Sequence, residues 1–385
     1  MSAAALAADL ALLEANGLRR RRRMLQSPQR ARVTVDGRDY VAFCSNDYLG
    51  LAANEAIVAA AQEGARQYGV GAGASHLILG HTAAHHALES ALARFVEMPA
   101  ALLFSTGYMA NFGLLTALAD RNADIFADRL NHASLNDAAL LSRAKVKRYA
   151  HVDLAALERL LAASRAGRKL IVTDAVFSMD GDIAPVAELL ELAERYDAWL
   201  VLDDAHGFGV LGTRGRGVLE HAGIRSPRIA YMATLGKAAG VFGAFVAGES
   251  DLIDTLVQRA HTYVYTTATP ALLAHALLKS LDIIASEGWR RTHLADLVGR
   301  LKNGLRDSRW RLLPSDTPIQ PLLVGGSADA MALSARLAER ALLVPAIRPP
   351  TVARGSSRLR ISLSADHAVE DVDRLTAVLM TLQAS

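Results

Sequence analysis

Short apolar runs rich in β-branched residues recur through the middle of this chain, and stretches that read as helix separate most of them. The runs are ALLF at 101–104, KLIVTDAVF at 169–177, WLVLDD at 199–204, IAYMATL at 229–235 and GAFVAG at 243–248. Between two of them, PVAELLELAERY at 185–196 has helical periodicity and opens on Pro185, a residue suited to a first helical turn. Strands that lack apolar–polar alternation need burial on both faces, and a mostly parallel sheet covered by helices supplies it. The alternation sets in near residue 54 and changes after residue 270. Long helical stretches come next, then strands near 317–324 and 358–363, then an amphipathic helix near 368–383. The pattern predicts an α/β protein. A large domain with a mostly parallel sheet spans 49–280, a smaller α+β domain spans 281–385, and a segment over 1–48 precedes both. In that segment residues 1–30 read as an amphipathic helix ending in the basic run Arg19–Arg23. ARVTVDGRDYVAF at 31–43 alternates around Asp36-Gly37, a hairpin signal.

Composition removes several function classes. With 385 residues, 51% of them hydrophobic, the chain can bury a large core. It contains no uninterrupted apolar stretch of about 18 residues, so no transmembrane helix is expected. Its first basic run follows the apolar start, whereas a signal peptide has the opposite order, and a cytoplasmic protein is expected. Cys44 is the single cysteine, which excludes an internal disulfide and a multi-cysteine metal site. The net charge is +3, from 42 basic and 39 acidic residues. That balance gives no reason to expect a nucleic-acid partner, and Arg19–Arg23 reads as a solvated helix end. His81, His85 and His86 complete no HExxH pattern, and no metal is expected. Gly69-Val70-Gly71-Ala72-Gly73 resembles a dinucleotide fingerprint but follows a helix instead of a strand, so it fails the context that fingerprint needs.

Ligands of open α/β sheets sit beyond the carboxyl ends of the strands, which makes the polar residues there informative. Asp203 ends the run WLVL and is followed by Asp204-Ala205-His206. A carboxylate at the end of a buried strand is costly unless it is paired. Lys237 follows Thr234-Leu235-Gly236, again just past an apolar strand, and small residues flank it on both sides. A lone aspartate there is often a turn or cap residue, and a lone lysine is usually solvated. Together they fit pyridoxal phosphate, whose aldehyde takes a lysine as a Schiff base and whose ring nitrogen is kept protonated by an aspartate. His206 is placed to reach the ring hydroxyl. Ser105-Thr106-Gly107-Tyr108-Met109-Ala110-Asn111 follows the strand ALLF and opens a helix, where free N–H groups and the helix dipole suit a phosphate.

Asn46-Asp47-Tyr48-Leu49-Gly50, Asp203-Asp204-Ala205-His206-Gly207 and Thr234-Leu235-Gly236-Lys237 resemble motifs of the α-oxoamine synthases, pyridoxal-phosphate enzymes of the aspartate-aminotransferase fold (fold type I). The resemblance covers nearly the whole chain. It implies an acyltransferase that joins a small amino acid to an acyl thioester with loss of carbon dioxide. Three further segments, GAGASHLILGH at 71–81, VFSMDGDIAP at 176–185 and AIRPPTVARGSSRLRISLSADH at 346–367, are similar to the branch that uses L-alanine and a pimeloyl thioester, carried on CoA or acyl carrier protein, in biotin synthesis. Carried over residue by residue, the resemblance makes Lys237 the Schiff-base lysine. Asp203 would pair with the ring nitrogen and His206 with the ring hydroxyl, and His132 would stack on the ring. Gly107, Tyr108, Ser178 and Thr234 would line the cofactor. Thr267 would reach the phosphate of a neighbouring subunit, since the family is homodimeric. Arg348 would hold the amino-acid carboxylate, while Arg20, Asn46 and Thr351 would contact substrate. The glycine-using siblings, 2-amino-3-ketobutyrate CoA ligase and 5-aminolevulinate synthase, are the nearest alternative. An ordinary aminotransferase on the same fold would need a keto acid instead of a thioester.

Overall fold

The computed structural model describes residues 3–15 and 18–383. Its main sheet has seven strands, in the order Ala100–Phe104, Ala244–Gly248, Ile229–Thr234, Trp199–Asp203, Arg168–Asp174, Ala123–Asp128 and Lys145–Tyr149. Ala244–Gly248 runs antiparallel to both neighbours, and every other adjacent pair is parallel. Each apolar run of the sequence supplies one strand. Two strands had no such run to announce them. Ala123–Asp128 (ADIFAD) contains two aspartates, and Lys145–Tyr149 (KVKRY) is the sheet edge and interleaves basic with apolar residues.

Alternation along a strand sends successive side chains to opposite faces, and the core divides accordingly. Ile171, Leu200, Leu202 and Phe245 join one apolar cluster, while Leu170, Val172, Val201 and Val246 join another. Both faces are therefore covered, as the continuous apolar runs require.

Past residue 270 the helices Ala271–Ser286 and Trp289–Gly304 lead to an antiparallel four-stranded sheet. Its order is Arg311–Leu312, Ile319–Gly325, Ser357–Ser362 and Ala346–Ile347, and the helix Val369–Gln383 follows. The strands Arg32–Val35 and Arg38–Ala42 form the hairpin predicted around Asp36-Gly37. Leu342–Leu343 then pairs in parallel with Arg38–Ala42. Ala31 N–H also donates to Asp366 Oδ2 at 2.7 Å, and the Phe43 ring stacks on His367 at 4.5 Å. The beginning of the chain is thus fastened to its end.

The predicted helix over 1–30 is corrected. Positions 1, 2, 16 and 17 of it lie outside the described residues, and the observed helix is Ala3–Ala15. Alanine and leucine surround its axis without forming an apolar stripe, and none of its residues is buried. Arg19–Arg23 is not helical, and Arg19 and Arg21 fold back onto Glu14. Among the described residues no helix is long and apolar enough to cross a membrane.

Gly50 shows how closely the two ends meet. Its φ is +67°, and a Cβ built on it would lie 2.8 Å from Asp366 Cβ. Alanine would be strained there both by its backbone and by its neighbour. Gly50→Ala should cost upward of about 1 kcal/mol, read as a lower denaturation midpoint at unchanged slope in urea unfolding.

Candidate active site

Five strands of the main sheet deliver polar residues to one edge, where the parallel strands end. Ser105–Gly107 follow the first of them in sequence, Asn131 and His132 the second, and Asp174 and Ser178 the third. Asp203 and His206 come from the fourth, Thr234 and Lys237 from the fifth.

Asp203 is buried. Its Oδ2 accepts from Asn111 Nδ2 at 2.7 Å and its Oδ1 from the Ala205 N–H at 3.0 Å. Asn111 Nδ2 also donates to Ser134 Oγ at 2.9 Å, and that oxygen lies 2.8 Å from His132 Nδ1. The His132 N–H donates to Asp174 Oδ2 at 2.6 Å. Burial, reinforced by the neighbouring Asp203, pushes Asp174 well above the ordinary carboxylate range. Two like charges are thereby kept from sharing one dry site. Asp204 turns elsewhere. Its Oδ2 accepts from Val218 N–H at 2.7 Å and from the Tyr231 hydroxyl at 2.8 Å, and burial raises its pKa to about 7.

Lys237 Nζ is 2.9 Å from His206 Nε2, and His206 Nδ1 is 2.6 Å from the Tyr48 hydroxyl. Burial depresses the imidazole strongly, and the positive charges of Lys237 and Arg360 push it the same way. His206 is therefore a neutral link between an amine and a phenol. Burial also lowers Lys237, to about 8, against the opposing pull of Asp203 and Asp174. An amine poised there is a nucleophile near neutral pH.

Behind this row lies Arg360, 6% exposed. Its guanidinium donates to the Ser178 carbonyl at 2.6 Å, to Ser362 Oγ at 2.7 Å and to Asn46 Oδ1 at 3.3 Å. A longer contact, 3.4 Å, reaches the Tyr48 hydroxyl. On the other side the helix Gly107–Leu118 opens at Thr106, whose side chain accepts from Met109 N–H at 3.2 Å. A Cβ on Gly107 would lie 2.7 Å from Thr234 Cγ2, so only glycine lets this helix end approach Thr234 so closely.

The structure thus brings together Lys237, His206, Asp203, His132, Asn46, Ser178, Gly107 and Thr234. Arg20, Arg348 and Thr351 gather separately, lining a cavity of about 790 Å³ with Leu10, Leu13 and Leu18. Arg348 follows the edge strand Ala346–Ile347. The Tyr108 hydroxyl donates to Asp137 at 2.7 Å. Thr267 is exposed and bridges to Ser75, and no bond of this network reaches it. Sequence reasoning quoted Asn111 and Tyr48 only within longer motifs, with no role of their own, and missed Asp174 and Arg360. The signals were present: Asn111 is the one amide in the apolar helix GYMANFGLLTAL, and Arg358 and Arg360 share one face of a buried strand.

The donor set suits pyridoxal phosphate. It offers a nucleophilic amine at Lys237, a buried carboxylate at Asp203 and a helix N-terminus at Gly107 for a phosphate. Residues 38–379 match the model of aminotransferase class I and II. Over 94% of this chain and 91% of the relative, the sequence is 64% identical to 8-amino-7-oxononanoate synthase of Nitrosospira multiformis. The chain belongs to the 8-amino-7-oxononanoate synthase family. A solved 8-amino-7-oxononanoate synthase from Francisella tularensis superposes with a TM-score of 0.78 at 29% identity, over 89% of this chain and 97% of that one. A serine palmitoyltransferase solved with PLP gives a TM-score of 0.92 at 26% identity, over 98% and 96%. The span matched by the aminotransferase model holds every member of the Lys237 set, while Arg20 lies upstream of it.

Two outcomes follow for this member of the 8-amino-7-oxononanoate synthase family. Only the neutral amine of Lys237 can attack an aldehyde. Covalent capture of pyridoxal phosphate by the apoprotein, followed by stopped-flow absorbance, should quicken as pH rises through about 8 and level off above it. The adjacent aspartates should separate cleanly. Asp203→Asn should lower kcat and kcat/KM together, by a factor on the order of 100–1,000. Asp204→Asn should leave kcat near wild type but lower stability by about 1–3 kcal/mol, because it disturbs the buried Tyr231 and Val218 bonds.

Proposed function

We propose that this chain is a pyridoxal-phosphate-dependent C-acyltransferase that condenses L-alanine with a pimeloyl thioester, releasing carbon dioxide and 8-amino-7-oxononanoate, a precursor of biotin. The observation that carries the reading is the chain Lys237–His206–Tyr48 beside Asp203, half-buried at Lys237 and buried at His206 and Tyr48, within a sequence whose relatives share that name. Pyridoxal phosphate, when bound, supplies an aldehyde for covalent attachment and an electron-withdrawing ring that stabilises negative charge at the amino acid's α-carbon.

The chain's own residues do the remaining work. Lys237 would hold the cofactor through its amine, and that amine would be the base that takes the α-proton of alanine. A base must lie within hydrogen-bond reach of its proton, and a displaced lysine stays there. Asp203, held by Asn111 and the Ala205 N–H, would keep a proton on the ring nitrogen. His132, anchored through Ser134 and Asp174, would cover the ring. His206 holds the Lys237 amine on the side of Tyr48. The substrate chemistry balances: the α-carbon loses a proton and bonds to the thioester carbonyl, the thiol leaves, the bond to the carboxylate breaks as carbon dioxide, and a proton returns.

Arg348 and Thr351 share their cavity with Arg20 and three leucines. We assign Arg348 to the alanine carboxylate, and Arg20 and Thr351 to substrate contacts alongside Asn46. A homodimer completes the proposal, with Thr267 turned to the partner's phosphate. Exposed Leu77, Ile78, Leu79 and Tyr265 near the Ser75–Thr267 bridge give that assembly an apolar face to bury.

Alanine and glycine should be compared as substrates with pimeloyl-CoA and with pimeloyl acyl carrier protein. Alanine should give carbon dioxide and 8-amino-7-oxononanoate, and a faster reaction with glycine would overturn the choice of amino acid. Arg348→Lys should weaken alanine binding and slow deuterium exchange at its α-carbon by about tenfold or more, because a point charge cannot copy a two-bond grip. The resting visible spectrum should be unchanged. Near-wild-type titration and exchange would return Arg348 to the surface.

A further inference from the structure

One imidazole lies outside the Lys237 network but between two of the turns that build it. His151 follows the edge strand Lys145–Tyr149. Its Nδ1 lies 3.1 and 3.2 Å from the two carboxylate oxygens of Asp128, and its Nε2 lies 2.8 Å from Asp182 Oδ2. Ionised carboxylates only accept hydrogen bonds, so a ring clasped by one at each nitrogen carries hydrogen on both and is an imidazolium. Burial alone would make that charge harder to hold. The hydrogen bonds to Asp128 and Asp182 outweigh it and keep the ring protonated to about pH 10. Phe177 meets the ring edge-on at 4.3 Å.

The backbone beside the ring is strained in a way that serves the same contact. Val152 has φ +49°, a region β-branched residues rarely enter. In that conformation its N–H donates to Asp128 Oδ2 at 2.9 Å. Strain of this kind persists where the surrounding bonds over-determine it.

Each carboxylate belongs to a turn that carries a site residue. Asp128 ends the strand Ala123–Asp128. Its Oδ1 accepts from Leu130 N–H at 2.8 Å and its carbonyl from Asn131 N–H at 3.3 Å, shaping the turn that presents His132. Asp182 closes the turn that presents Ser178, its carbonyl accepting from Phe177 N–H at 3.0 Å. The Ser178 turn is tied to the smaller sheet by Arg358 on Asp180 and by Arg360 on the Ser178 carbonyl. His151 ties it across to the main sheet.

We propose that His151 is a positioning residue of this active site, a fixed cation that locks the His132 turn to the Ser178 turn and so sets the spacing of the two flanks of the cofactor pocket. The proposal rests on the pyridoxal-phosphate reading above. Without the cation, Asp128 and Asp182 would face each other unneutralised, and the Ser178 turn would lose its side-chain tie to the His132 turn.

The test compares wild type with His151→Gln, Asp182→Asn and the double variant. The readouts are the pyridoxal-phosphate dissociation constant from titration of the apoprotein, the visible circular dichroism of the bound cofactor and the melting temperature. Each single variant should weaken cofactor binding by about tenfold and alter the visible dichroism. The double variant should be no worse than either single, as expected for two halves of one contact. His151→Arg, which restores a cation, should recover part of the affinity. Asp182 is partly exposed, so Asp182→Asn carries the test should His151→Gln fail to fold. Unchanged affinity and dichroism in Asp182→Asn, or additive losses in the double variant, would overturn the proposal. Wild-type apoprotein that fails to bind pyridoxal phosphate would instead remove the reading on which it rests.

Discussion

Arg360 is a charge with almost no water around it, and three separate parts of the molecule supply its acceptors. Ser362 is its strand neighbour, Ser178 lies on a turn of the main sheet, and Asn46 and Tyr48 come from the segment after the hairpin. A buried guanidinium is tolerable only when its donors are met. That requirement fixes the smaller sheet against the larger one, since neither alone offers enough oxygen. Tyr48 in turn meets His206, and His206 meets Lys237. The position of the reactive amine is thus set by packing at a seam between layers, and by depressed pKa values that follow from the dryness of that seam.

The two carboxylates at the strand ends show the same logic. Asp203 and Asp174 end neighbouring strands in register. Placing both there would be unfavourable if both were charged, and burial resolves it by pushing Asp174 upward. A neutral Asp174 still accepts the His132 N–H, so the group serves as scaffold while Asp203 faces the pocket. Asp204, one residue on, belongs to the opposite side of the strand and stabilises the turn that runs to Val218. Alternation along a strand assigns adjacent aspartates to separate tasks.

Much of this was legible in the sequence. The five apolar runs, the hairpin at Asp36-Gly37 and the motifs around Asp203 and Lys237 were readable because each follows a local rule of period, turn or strand end. Strands Ala123–Asp128 and Lys145–Tyr149 were not, because their polar residues are there for tertiary reasons. Asp128 answers His151, and Lys147 pairs with Asp124 at 2.7 Å. The N-terminal helix was overextended because its helix-forming composition outweighed the local stop signal Asn16-Gly17 that directly follows Ala15. Asn111, Tyr48 and Arg360 received no individual role for a common cause: each acts through a partner distant in sequence, such as Asp203 for Asn111 at 92 residues and His206 for Tyr48 at 158, and spacing cannot show such a pairing.

The parallel strand Leu342–Leu343, completing a sheet begun by the first hairpin, has a bearing on how the protein is made. The hairpin leaves the ribosome about 300 residues before its third strand, since Val41 pairs with Leu342. Asn46 and Tyr48 likewise wait for Arg360, and the Tyr48 carbonyl waits for the N–H of Ala365. Contacts so distant in sequence form late and slowly. A chain stopped before these segments could build much of the seven-stranded sheet, with Lys237 on its edge, but would lack the guanidinium that meets the Tyr48 hydroxyl. Catalytic competence is therefore coupled to translation through Arg360 and Ala365, and a chain ended before them would be inert.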